Sequence, residues 1–302
     1  MQINSYKAQT IYQLISSKRL YSYKQIFNPQ NDEELLGGYL WNLYISSLFF
    51  KVSNLVEITL RNSINNALTK DLGEIWWAKS KLHYKSYISS QHPVPENVKK
   101  LRDGFVSARN QAKREKENRY GAVNYIPTHE EIISNTKFQI WELILDDEFV
   151  GNRLIWNKNL GKVFKGAWPN NSANDLLISL RQEINNIRLF RNRIAHHEPL
   201  WKAHNINTME DAIEYLHKKL SSMEKVLGYI SPEKIQFIEE KGLLQELRNA
   251  LTVNSINYYM KNNRKTLIVK NMNQIKYIFK KVKKQQTPVN FKYGNKLFIL
   301  IN

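Results

Sequence analysis

Between positions 40 and 60 the chain is apolar on nearly every face that a helix could present. Leu40, Trp41, Leu43, Tyr44 and Ile45 lead through Leu48, Phe49 and Phe50 to Val52, Leu55, Val56 and Leu60, with Lys51 and Glu57 the only charges in the stretch. A surface helix keeps a polar face, so a helix without one is buried on most sides. The helical pattern extends over 34–72, as one long helix or two joined ones, and such an element belongs at the centre of an α-helical bundle. Gly73 follows as a C-cap.

The rest of the chain is read against that central element. The residues at 78–96 are polar and interrupted by proline, which predicts a loop. A strongly charged helix is expected at 97–120, with few large apolar residues, projecting from the core as an insertion. Thr128-His-Glu-Glu131 fits a capping box opening a helix to about 149. A Trp/Phe-rich connection at 154–168 precedes a clear helix from Ser172 or Asn174 to His197, stopped by Pro199. Two further helices are expected at 208–227 and 231–251, the second with Pro232 in its first turn. After Asn262 the pattern changes, with short strands at 266–269 and 296–301 flanking a basic helix at 273–284. The fold class is therefore all-α, residues 1–229, with a small basic α+β C-terminal extension over 230–302.

With 302 residues, 42% of them hydrophobic, the chain can bury a sizeable core. Mean hydropathy is −0.53, no unbroken run of about 18 apolar residues occurs, and the first residues lack the apolar centre of a secretory signal. These features predict a cytoplasmic protein with no membrane partner. There are no cysteines and only 11 glycines, and neither GxGxxG nor GxxxxGK[ST] is present, which excludes Walker ATPases and Rossmann dehydrogenases. His83, His92 and His129 have no metal-ligand spacing, and HExxH is absent, so neither a metal nor a small-molecule cofactor is expected.

Charge is segregated along the chain. The net charge is +18, from 45 basic and 27 acidic residues. No Asp or Glu follows Glu246. That acid-free stretch carries Arg248, Lys261, Arg264, Lys265, Lys270, Lys276, Lys280, Lys281, Lys283, Lys284, Lys292 and Lys296. Segregation of this kind implies a polyanionic partner. Tyr258, Tyr259, Tyr277, Phe279, Phe291, Tyr293 and Phe298 are interleaved with the bases, a pattern that suits single-stranded nucleic acid, where rings stack on bases while cations meet phosphates. The alternative is a domain whose aromatics pack inward beneath solvated lysines.

The chemistry concentrates at the end of the helix before Pro199. Its apolar stripe runs Leu177, Leu180, Ile184, Ile187 and Ile194, and the position expected to continue it after Ile187 holds Arg191. A guanidinium does not lose its charge, so one that is half-buried needs an anion or a route to water. Asn192 and His196 share a face, whereas Arg191 and His196 lie about 140° apart. Two copies meeting across a two-fold axis bring such a pair together more easily than one helix does. An imidazole can move the 2′-hydroxyl or 5′-oxygen proton of RNA, and an arginine can clamp the phosphate. Histidines at helix C-termini are also common partners of the helix dipole.

Arg191-Asn192-Arg193-Ile194-Ala195-His196-His197-Glu198-Pro199 resembles the R-N-x(3–4)-H motif of the HEPN superfamily and, over its full length, the signature of the Abi-like proteins of bacterial abortive infection. Leu55-Val-Glu57-Ile-Thr-Leu-Arg61-Asn62, the segment 73–77 and the region 141–156 are similar to segments of the same family, so the resemblance covers roughly 8–225. It implies a HEPN-type helical bundle acting as a metal-independent endoribonuclease toxin, with a composite site formed in a homodimer. It further implies that Arg191 and His196 are catalytic, that Asn192 orients them, and that cleavage leaves a 2′,3′-cyclic phosphate. Some relatives lie beside a structured noncoding RNA, which gives an alternative: a non-catalytic RNA-binding protein forming a ribonucleoprotein. Glu57 and Arg61, four apart, form either an intrahelical ion pair or a support in which Glu57 orients Arg191. His197 is a rival to His196 as the acid–base group. RNA contacts are expected at Arg264, Lys265, Lys270, Lys276, Lys280, Lys281, Lys283, Lys284, Lys292 and Lys296.

Overall fold

The computed structural model describes residues 8–88, 93–121, 123–168, 172–261, 267–285, 289–294 and 296–300. In chain order the helices are α1 (Ala8–Ile15), α2 (Ser17–Phe27), α3 (Asp32–Leu72), α4 (Glu96–Tyr120), α5 (His129–Ser134), α6 (Phe138–Leu143), α7 (Ile155–Val163) and α8 (Ala173–Ala195). They continue as α9 (Met209–Ile230), α10 (Pro232–Glu240), α11 (Leu243–Ala250) and α12 (Val253–Met260). The chain closes with β1 (Leu267–Val269), α13 (Met272–Gln285), β2 (Val289–Tyr293) and β3 (Lys296–Leu300). The protein is all-α with a small α+β part at its C-terminus.

α3 is a single helix of 41 residues, about 60 Å long at 1.5 Å per residue. Asp32, Glu33 and Glu34 complement its N-terminal dipole, and the Asn31 side chain accepts from the Glu34 N–H at 2.9 Å. It ends at Gly73, whose N–H donates to Thr69 O at 2.8 Å. Trp41, Ile45, Leu48, Val52, Val56, Leu60, Ile64 and Leu68 form one buried stripe at three- and four-residue spacing. By length and composition α3 could cross a membrane, since an 18-residue window reaches a mean hydropathy of 1.3. Half of that window is buried inside the protein, as in a core helix.

The chain divides into two compact units: Met1–Lys51 with Arg191–Ser221 and Ile238–Asn302, and Val52–Phe190 with Ser222–Phe237. The first is built around Tyr23, Phe27, Trp41 and Trp201, whose rings meet edge-on or tilted at centroid distances of 4.7–6.0 Å. Contacts of this kind contribute about 0.5–1.5 kcal/mol each beyond their area. The second unit is built around Trp76, Phe105, Trp141 and Trp156, all buried.

Several local expectations are corrected. The charged helix at 97–120 does not project along its length, because Val98, Leu101, Phe105, Ala108 and Ala112 are buried. Phe105 stacks on Trp77 at 4.5 Å and meets Trp76 edge-on. Its small alanines hid an ordinary heptad-like stripe. The helix from Thr128 opens with the expected capping box but stops at Ser134. There the Asn135 side chain donates to Glu131 O and the Thr136 hydroxyl to Ile133 O, local bonds that compete with helix continuation. The 154–168 connection contains α7. The 231–251 helix is split at Gly242, whose φ of 75° lies in the left-handed region. α12 and β2 were not anticipated.

The basic C-terminus forms a three-stranded sheet in the order β1-β2-β3. β1 and β2 pair in parallel with α13 between them in sequence, and β2 and β3 are antiparallel. Val269, Ile278, Val282 and Phe291 make its own small core.

Candidate functional site

The last turn of α8 and the residue that follows it carry the R-N-x-x-x-H residues, and the helix end is closed by a Schellman motif. His197 N–H donates to Ile194 O at 3.0 Å and Glu198 N–H to Arg193 O at 3.1 Å, the paired closure that places the C′ residue in the left-handed region. That residue is His197, with φ 55°. A histidine where glycine is favoured carries a steric cost of about 1–2 kcal/mol. His197 therefore has a defined backbone role of its own.

Beyond the cap the chain is fixed from two sides within the same unit. Asn42, fully buried on α3, accepts from Leu200 N–H at 3.1 Å and donates to Glu198 O at 3.4 Å. Arg193 reaches Leu200 O at 3.3 Å and the Glu198 carboxylate at 3.7 Å. Leu200 and Trp201 then enter the aromatic core, both 1% exposed or less. An unpaired Leu200 N–H in this setting would cost about 1–3 kcal/mol, so Asn42 is a positioning residue for the segment that follows the motif. Its signal in the sequence was an amide beside Trp41 inside the most apolar run, where a buried polar group needs a specific partner. In the same core, burial pushes the Tyr23 phenol well above its ordinary value, so that ring stays neutral.

Arg191 and Asn192 are half-buried and His196 is exposed, its N–H donating to Asn192 O at 2.9 Å. The motif is thus one rigid turn with its imidazole facing solvent and its guanidinium set deeper. Glu57 and Arg61 are half-buried on the part of α3 that belongs to the other unit. Arg61 donates to the Asn62 side chain at 3.4 Å and to Ser134 O at 3.5 Å.

Lys270, Lys276, Lys280, Lys281, Lys283, Lys284, Lys292 and Lys296 are all exposed, five of them on α13; Arg264 and Lys265 lie outside the described residues. Ile275, Ile278 and Val282 turn inward, and at about 100° per residue Lys276, Lys280, Lys283 and Lys284 fall on the opposite face. Of the interleaved aromatics, Phe291 is core, Tyr258 donates to the Asn290 side chain at 2.7 Å and Tyr259 stacks on Tyr44 at 5.8 Å. Tyr277, Phe279, Tyr293 and Phe298 remain exposed.

Two ionic contacts of the second unit were not anticipated. Arg188 Nε donates to Glu142 at 2.6 Å, and Arg181 pairs with Asp146 at 2.6 Å. Both tie α8 to the segment around α6, and buried charges are retained only when paired in this way. His129 is a satisfied core histidine: Nδ1 accepts from Ile75 N–H at 3.4 Å, Nε2 lies 3.0 Å from Asn65 Oδ1, and the ring stacks on Trp77. Among the described residues no group of three or more His, Asp and Glu side chains is arranged to hold a metal.

A profile of the Abi-like proteins matches residues 1–202, two thirds of the chain. The chain belongs to the Abi-like family of abortive infection proteins. No curated protein and no solved structure matched it. The matched span begins before α3 and ends just after Trp201, so it contains both the central helix and the whole R-N-x-x-x-H turn.

Proposed function

We propose that this Abi-like protein is a metal-independent HEPN endoribonuclease, a toxin of a bacterial abortive-infection system that acts as a cytoplasmic homodimer. The observation that carries the reading is the closed, anchored end of α8, where Asn42 and the Schellman cap hold Arg191, Asn192 and His196 on one rigid turn and His196 stays open to solvent. In the reaction an imidazole takes the 2′-hydroxyl proton and the 2′-oxygen attacks the adjacent phosphorus. The bond to the 5′-oxygen breaks, and that oxygen is protonated by an imidazolium. The products are a 2′,3′-cyclic phosphate and a free 5′-hydroxyl, with no metal and no net redox change. Arg191 meets the charge that builds on the phosphoryl oxygens. Because one chain supplies one motif, two copies supply the base, the acid and both guanidinium groups.

A second reading is favoured by the exposed, acid-free lysine face of α13. There the protein binds a structured noncoding RNA and cleaves little or nothing. The test is to strip the protein of nucleic acid in high salt, return it to low salt, and incubate it with labelled RNA in EDTA beside His196→Ala. The expected outcome is cleavage by the wild type leaving cyclic-phosphate ends, reduced about 10²–10⁴-fold in the variant. Tight binding by both with cleavage by neither would move the assignment to the ribonucleoprotein.

A further inference from the structure

A groove of about 550 Å³ opens in the unit formed by Val52–Phe190 and Ser222–Phe237. Its lining includes Asn66 and Lys70 from the last turns of α3, Lys162 from the end of α7 and Lys165 just beyond it, and Ser231 and Lys234 from the α9–α10 junction. No carboxylate lines it among the described residues. Among the described residues none of the four lysines enters an ion pair, whereas lysines elsewhere do, such as Lys85 with Asp147 and Lys116 with Glu131. Lys162 donates to the Asn159 side chain at 3.1 Å. Lys234 is half-buried, and its ammonium is pulled below the ordinary lysine value by burial. Glu233, in the first turn of α10, is held below the usual carboxylate range by its own backbone N–H and by the Ser231 hydroxyl, which donates to it at 2.9 Å, with a smaller pull from Lys165.

The groove is built rather than incidental. Gly166 N–H donates to Tyr229 O at 2.9 Å, and a Cβ at position 166 would lie 2.1 Å from Gly228 O. Only glycine lets the segment that carries Lys165 press against α9. Trp168 Nε1 donates to Phe164 O at 2.9 Å and secures the same turn. Four cations from three separate segments are therefore gathered around one concavity, none of them in an ion pair among the described residues, with Glu233 offsetting part of the charge of Lys165.

The lining chemistry selects the ligand. Lysines meet phosphates as point charges, and serine and asparagine side chains bond phosphate and sugar oxygens. Among the described residues no aromatic ring and no arginine lines the groove, so its lining offers no ring for an unpaired base to stack on. A partner that presents phosphates and ribose while keeping its bases stacked inside is a duplex, and RNA duplexes are recognised through their backbone and shape. We propose that this groove is a second RNA site that grips the phosphate–ribose backbone of double-helical RNA. It rests on RNA being the partner, but not on cleavage.

The experiment uses the full chain stripped of nucleic acid and a labelled RNA duplex of about 20 base pairs, with a single strand of equal length as comparison. Lys70→Glu/Lys165→Glu changes two exposed residues, and matching circular dichroism and melting show that the fold is kept. Lys70→Gln/Lys162→Gln serves if the reversals disturb it. Duplex affinity at low salt is expected to fall about tenfold or more, with single-strand affinity within about twofold of wild type. An unchanged duplex affinity in the folded variant overturns the groove assignment and leaves RNA as partner intact. Displacement of the duplex by inorganic tripolyphosphate at equal phosphate concentration overturns it in favour of a small oligophosphate site. If the wild type binds neither RNA, the RNA reading itself fails and takes this site with it.

Discussion

The C-terminal lysine face and the α3–α7–α10 groove are both cationic, yet they are made in opposite ways. The lysines of α13 are neighbours in sequence, set opposite an apolar stripe of Ile275, Ile278 and Val282, with Tyr277 and Phe279 exposed beside them. Lys70, Lys162, Lys165 and Lys234 are scattered along the chain, and each alone reads as an ordinary surface residue. Folding collects them around a concavity with no ring in its lining among the described residues. Charge counting finds a surface that one element makes by itself. It misses a surface that tertiary structure assembles. The two also differ in chemistry: the convex helix offers charge with aromatics, which suits unpaired bases, and the groove offers charge with amides and hydroxyls, which suits a backbone.

The largest expected effect breaks that contrast at its convex end. Reversing Lys276, Lys280, Lys283 and Lys284 to Glu together changes only exposed residues on the polar face of α13. If this face holds single strands, the log–log slope of affinity against salt falls by about 3, and binding near 50 mM salt weakens by about two orders of magnitude. Fluorescence anisotropy over a salt series measures both. Duplex binding through the groove should suffer much less. An equal loss for both RNAs would show that the two surfaces act as one, and an unaltered slope would remove α13 from RNA binding.

The same distinction explains what was legible in the sequence. α3, the Thr128 capping box, α8 with its apolar stripe, and the sheet-flanked basic helix are written in contiguous periodicity, and they stand as read. The R-N-x-x-x-H turn was legible because all of its members fall within six residues. What supports it was not. Asn42 and the Glu198–Leu200 segment meet only through folding, and the partners of Arg181 and Arg188 lie about α6, far away in sequence. α7 and α12 are nine and eight residues long, too short for amphipathic period to stand out. α4 misled because alanine can be buried without looking apolar enough to count.

Acid titration sharpens the comparison in a different way, since the C-terminal segment has no Asp or Glu side chain to titrate. In the other unit Glu131 bonds Lys116, the Thr128 N–H and the Tyr125 hydroxyl, and these hold its carboxyl down from 4.5 to about 2. A depressed folded-state value means that the stabilisation is complete above the unfolded value and is lost as pH falls. The window therefore runs from about pH 4.5 down to about 2. Amide exchange at 129–134 should accelerate through that window while α13 keeps its protection. In Glu131→Gln the pH dependence should flatten, because the remaining amide cannot titrate. Equal acid sensitivity in α13 would show that its stability depends on carboxylates elsewhere.

The smallest effect concerns two adjacent histidines, one explained by its own backbone and one by what it faces. His197 occupies the C′ position with φ 55°, and Gly there relieves about 1–2 kcal/mol of left-handed strain. Glycine also gains about 0.5–1 kcal/mol of freedom in the unfolded chain, which offsets about half of that relief. His197→Gly should then raise stability by no more than about 1 kcal/mol, read by denaturant titration, and should leave RNA cleavage at the wild-type rate. The cap bonds from 197 to Ile194 and from 198 to Arg193 are main-chain bonds, so the substitution keeps the turn that carries His196. Loss of cleavage with the fold intact would make His197 the acid–base group. The R-N-x-x-x-H spacing would then describe the family to which the chain belongs without describing its chemistry.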